Sequence, residues 1–150
     1  MKNLSETDIN RFIEAQEIPF FCGYNQALED VKNGYKINHW MWYIFPQLRC
    51  LARSRTAYYY GIANKYEAQR YLECPYLGAR LREITEALLL QRDKTAEEIF
   101  GEIDAKKLHS CMTMFDFLSP NDIFGEVFRL FYNEGRCEIT LKVMQQEPIL

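Results

Sequence analysis

Helix start and stop signals recur along the whole of this 150-residue chain, while strand signals are scarce. Ser5 with Asp8 resembles a capping box ahead of Ile9, Phe12 and Ile13, which fall on one helical face. Pro19 separates that helix from a second one running to about Asn33, with Ala27, Leu28 and Val31 as its apolar stripe and Gly34 as its stop. Asn64 with Glu67 opens a short helix closed near Cys74-Pro75. A longer helix follows from Tyr76, where Leu77, Leu81, Ile84 and Leu88 keep helical spacing. Thr95 with Glu98 is a further capping box, and Gly101 ends that element. Leu108, Cys111, Met112 and Phe115 then follow the i, i+3, i+4, i+7 pattern, with Asp104 expected as the N-terminal cap of their helix. Ser119-Pro120 starts another helix, carrying Phe124, Val127, Leu130 and Phe131 and ending at Gly135. Glu138 to Gln146 reads as a last helix before Pro148.

Short connections between so many helices predict an all-α fold: one compact domain, a multihelical bundle or orthogonal array over residues 1–150 with its core at about 5–146. Residues 35–45 fit less well. Their many large side chains permit both helical spacing and alternation, and a short helix stopped by Pro46 is preferred to a strand.

Apolar residues make up 48% of the chain, too many for a disordered protein. No run of about eighteen apolar residues is present, so no membrane span is expected. Met1 to Asp8 has no apolar run and does not read as a signal peptide. Five cysteines, odd in number, far apart and without C-x-x-C spacing, read as buried, reduced thiols of a cytoplasmic protein. His39 and His109 lack ligand spacing to any of them, so no metal is expected; no cofactor is expected either. Common signatures of hydrolases, kinases, dinucleotide-binding proteins and metalloproteases are missing.

Charge is unevenly distributed. The chain carries −3 overall, yet from Val31 to Tyr66 there is no Asp or Glu, while Lys32, Lys36, Arg49, Arg53, Arg55 and Lys65 contribute +6. The remainder holds 12 basic and 21 acidic residues, −9. The same stretch contains both tryptophans, Trp40 and Trp42, and six of the ten tyrosines. Arginine forks grip phosphate or carboxylate, and Tyr and Trp give stacking area with a polar tip, so the combination suits an anion that also has a flat face. The acidic total argues against broad nucleic-acid binding. A protein partner stays open, as does docking of the segment on the chain's own acidic helices. Elsewhere, Lys107, Ser110 and Met114 are expected on the helix face opposite Leu108, Cys111 and Phe115, while His109 reads as a surface or packed histidine.

The run HWMWYIFPQL (His39 to Leu48) resembles the hallmark of a bacterial domain-of-unknown-function family. SRTAYYYGI, YLECPYLGARLRE and IFGEIDAKKLHSCMTMF follow in the same order, and the likeness extends from about Asp8 to Leu141. The resemblance implies a multihelical fold and no settled activity. Many members carry the label "calpastatin", which finds no support here, because such inhibitors are disordered repeat proteins. It also implies weight on His39, Trp40, Trp42, Pro46, Gln47, Ala57, Tyr60, Gly61, Lys107, Ser110, Met112 and Thr113.

The resulting expectation is a polar-aromatic pocket for a small anionic, phosphate-bearing or nucleotide-like ligand. In it His39 acts as acid/base or donor, Lys107 with Arg53 or Arg55 neutralises charge, and Trp42 and Tyr60 stack. Trp40, Gln47, Ser110 and Thr113 complete the set. The alternative is a protein-interaction module using 31–66 without chemistry.

Overall fold

The computed structural model describes residues 8–17 and 22–146, and every element within them is helical. In chain order these are α1 (Asn10–Glu17), α2 (Tyr24–Lys32), α3 (Met41–Ile44), a 3₁₀ turn (Arg49–Leu51), α4 (Arg55–Tyr59), α5 (Lys65–Glu73), α6 (Pro75–Leu89), α7 (Ala96–Phe100), α8 (Glu102–Leu118), α9 (Phe124–Phe131) and α10 (Glu138–Gln146). None is long and apolar enough to cross a membrane.

Local chemistry explains most boundaries. Asp8 Oδ1 accepts the Asn10 amide at 2.9 Å and so caps α1; Ser5 and Pro19 lie outside the described residues. Gly34, at φ 75°, ends α2 as its left-handed stop. Asn64 accepts from the Glu67 amide at the start of α5, and Pro75 occupies the first turn of α6. Thr95 and Glu98 form the reciprocal capping box of α7. Both boundaries of α9 differ from expectation. The helix expected from Ser119-Pro120 begins only at Phe124, because Asp122 draws the chain into a turn: its carboxylate accepts from Ser119 Oγ, the Ile123 amide and Arg82. Asn121 adopts φ 72° in that turn, which no helix continues through. At its far end the same helix stops at Phe131, and Asn133 and Glu134 have positive φ before Gly135.

Helix α8 is the central strut, packed against α5, α7, α9 and α10, while α6 bears on α2, α5 and α9. Residues 110–115 of α8 are all buried, so the helix is enclosed on every side there. Trp40, Tyr43, Phe45, Tyr71, Phe12, Phe115, Phe124 and Phe128 are the largest aromatic side chains of the core. Cys22 and Cys111 are buried; Cys50 is exposed, a departure from the expectation that all five thiols are interior.

One polar cluster lies wholly inside. Arg11, 1% exposed, donates from Nε to the Tyr59 carbonyl at 2.7 Å, from Nη1 to the Asp8 carbonyl and Glu67, and from Nη2 to the Gly61 carbonyl and Glu67. All five guanidinium hydrogens therefore have acceptors. Glu67 also accepts the Ala63 amide at 2.7 Å. The cluster ties α1 to the chain between α4 and α5.

Candidate functional site

The site begins at a buried carboxylate. Asp30, on α2, accepts the Trp40 indole N–H at 2.8 Å, the Ile37 and Asn38 amides at 3.1 and 3.2 Å and the Gln26 amide at 3.2 Å. Burial pushes its acidity down, but those four donors outweigh burial and hold the carboxyl below its ordinary value. The Lys36 amide adds a 2.7 Å bond to the Ile99 carbonyl, so residues 36–40 are stitched to α2 and to α7. With Trp40 turned inward and fully buried, its neighbour His39 faces solvent. Residues 35–40 are consequently not helical, and only Met41–Ile44 forms the helix expected over the whole stretch.

Gly101 places the other wall. It joins α7 to α8 at φ 85° and ψ 165°, a conformation almost confined to glycine, and is the N-cap of α8. Asp104, expected as the cap, instead lies in the first turn. The first-turn amides of this 17-residue helix have no intrahelical acceptor and carry its positive dipole end.

Between these walls opens a cleft of about 470 Å³, lined by Lys36, His39, Met41, Trp42, Phe100 and residues 101–104 with Lys107. Asp104 bridges its two ammonium groups, at 2.8 Å from Lys36 Nζ and 3.6 Å from Lys107 Nζ. The Lys107 ammonium also lies 5.9 Å from the centre of the half-buried Trp42 ring. The His39 and Trp42 rings are 6.4 Å apart at 32°. Glu102 stands exposed in the lining and makes no ion pair among the described residues.

Behind Trp42 and Lys107 lies a second recess of about 10 Å³, lined by Met41, Trp42, Phe45, Gln47, Ala57, Tyr60, Gly61 and Lys107. Its geometry depends on Gly61, where a Cβ would sit 2.5 Å from Arg49 Cα. That close approach lets the Ile62 amide donate to the Gln47 carbonyl at 2.9 Å and the Arg49 amide to the Ile62 carbonyl at 2.8 Å, fixing Gln47 at the recess. The Gln47 side-chain amide has no hydrogen-bond partner among the described residues. Burial pushes the Tyr60 hydroxyl up, with Tyr59 and Glu14 adding to the shift and Arg11 opposing it.

Of the ten residues expected to form the ligand site, His39, Trp42, Gln47, Tyr60 and Lys107 surround these two adjoining spaces. The other five do not. Trp40 is core, held by Asp30. Ser110 is buried and shares a 2.6 Å hydrogen bond with Thr140, and Thr113 donates to the His109 carbonyl while accepting the Cys137 amide. Lys107 therefore does not share an outward face with Ser110 and Met114: α8 is surrounded on all sides past its second turn, and those two positions pack inside. Arg53 and Arg55 are exposed and line neither space. His109 packs, its ring stacked on Tyr132 at 4.1 Å and its Nε2 2.6 Å from the Gly135 carbonyl oxygen. Lys36, Asp104 and Gly101 were not among the predicted site residues. Lys36 was visible only as one cation among six, and no local pattern links it to Asp104. No group of three or more His, Cys, Asp or Glu among the described residues is placed to hold a metal ion.

The sequence profile of a family described as "Protein of unknown function (DUF1810)" matches residues 6–144. The fold is also that of a solved structure, the conserved hypothetical protein Rv1873 from Mycobacterium tuberculosis. That protein is 37% identical, with a TM-score of 0.87 over 94% of this chain and 99% of the other. No curated protein matches.

Proposed function

The chain belongs to the DUF1810 family of proteins of unknown function, and from that footing we propose that it binds a small anionic, phosphate-bearing ligand in the cleft between residues 36–42 and the start of α8. The observation that carries this reading is the sharing of one carboxylate, Asp104, by two ammonium groups that line one cleft, Lys36 with 8% and Lys107 with 25% of its side chain exposed. Each ammonium has three donors, and a single carboxylate cannot satisfy six. The donors left over point to an acceptor-rich guest, and the open amides at the head of α8 add the same preference for negative charge. Trp42 offers a stacking face beside that charge, and His39 at the mouth adds a group able to donate a hydrogen bond or exchange a proton.

The alternative, a protein-interaction surface made by segment 31–66, loses Trp40 to the core but keeps Tyr35, Tyr58 and Tyr66 exposed. Arg53 and Arg55 belong to neither space and have no part in the proposed site.

Calorimetric titration with inorganic pyrophosphate tests the reading. Lys36→Ala and Lys107→Ala are each expected to weaken binding roughly tenfold or more, the value of a charge-assisted hydrogen bond. Unchanged pyrophosphate binding in both variants, or none in the unaltered protein, would overturn it.

A further inference from the structure

The cleft and the small recess share three residues, Met41, Trp42 and Lys107, so they adjoin across one partition made of side chains. Their chemistry differs. The cleft holds most of the charged groups, whereas the recess is lined by Met41, Phe45 and Ala57, with the Gln47 amide and the Tyr60 side chain as uncharged polar groups and Lys107 as its one charge. An anion alone would use the cleft and leave the Gln47 amide idle. Because the recess has room for about one water-sized group, what enters it is the polar edge of something larger that remains outside.

Resting on the anion-binding reading, we infer that the ligand is a nucleotide: its base stacks on Trp42, its edge meets the Gln47 amide at the mouth of the recess, and its phosphate lies in the cleft at Lys36, Lys107 and the head of α8. Three features converge on this. A primary amide presents a donor and an acceptor side by side, the complement of the paired donor and acceptor on a nucleobase edge. Gln47 is held at its main chain by the Ile62 bond, while its side chain makes no hydrogen bond among the described residues and is free to pair with a guest. Trp42 lines both spaces, and the Lys107 ammonium lies 5.9 Å from its ring centre, so a base on the ring and a phosphate at Lys107 can belong to one molecule. The His39 ring, 6.4 Å from Trp42, is at the long end of direct ring contact. Gln47 is thus assigned as the residue that selects a base-bearing phosphate over a bare one.

The test compares AMP with ribose 5-phosphate, which differ by the base alone. AMP is expected to bind roughly ten- to a hundredfold tighter, the range that stacking of one base contributes. Gln47→Leu and the isosteric Gln47→Glu should shrink that ratio severalfold, while Gln47→Leu leaves ribose 5-phosphate binding within about twofold of the unaltered protein. Equal affinity for the two ligands, or a ratio that survives both substitutions, overturns the inference and leaves the anion site standing as long as pyrophosphate binds. If neither ligand nor pyrophosphate binds, the anion-binding reading has failed and this inference falls with it.

Discussion

Two clusters in this molecule are built from the same kinds of group and do opposite things. In the first, the Arg11 guanidinium meets the Glu67 carboxylate with side-chain exposures of 0% and 4%. Each of its five N–H hydrogens has an acceptor, so nothing is left to offer a guest. In the second, Lys36 and Lys107 divide one carboxylate, and the Lys107 ammonium stands at 3.6 Å, beyond good hydrogen-bond length. That cluster opens on a cleft. A saturated cluster fixes a fold, and an unsaturated one at the surface is available to recognise something. The distinction lies in the count of donors against acceptors, not in the charge.

The largest expected effect separates the two on stability. Arg11→Ala should cost about 3–5 kcal/mol in urea denaturation, because it strands a buried carboxylate. If it costs no more than Lys107→Ala, the sealed cluster is not a structural node. Next comes the carboxylate that aims the cleft loop. Asp30→Ala should cost about 1–3 kcal/mol and release the Trp40 indole, seen as a change in tryptophan fluorescence along with weakened pyrophosphate binding. Loss of stability with intact binding would detach the loop from the site.

How much of this was legible in the sequence follows from the range of each interaction. Caps act within a turn, so Asn64, Thr95 with Glu98, and Gly34 announced their helices correctly. The convergence of His39 and Gln47 with Lys107 came from the family resemblance and not from any local rule. No local pattern marks Arg11, because its partners other than the Asp8 carbonyl come from the distant 59–67 segment. Trp40 and Trp42 are two residues apart, and only the distant Asp30 decides that the first is core and the second lines the cleft. Ser110 and Met114 seemed outward because the full enclosure of α8 depends on α9 and α10, which no window on α8 reveals.

A smaller effect concerns acid. Asp30 and Asp122 both titrate below the ordinary carboxylate value, Asp30 through its four donors against burial and Asp122 chiefly through Arg82. A carboxyl whose value is lowered by folding stabilises the fold fully above its unfolded value of about 3.9, and that contribution is lost as pH falls through the folded value. Urea midpoints measured from pH 5 downward should therefore decline below about pH 4, and less steeply in Asp122→Asn. Equal slopes in the two proteins would remove Asp122 from the account.

The smallest expected effect sharpens the open cluster. Glu102 adds a negative charge to the lining without pairing to either lysine, so Glu102→Gln should tighten pyrophosphate binding by roughly two- to fivefold at low salt, and by less as salt screens it. Weaker binding in this variant would place the anion elsewhere.

The most direct trial of the unsaturated cluster is an amide NMR titration with pyrophosphate. The largest shifts should fall on the amides of Glu102, Ile103 and Asp104 and on the Trp42 indole N–H, and Lys36→Ala with Lys107→Ala should abolish them. Shifts centred on residues 49–55, where Arg53 and Arg55 stand exposed, would contradict it.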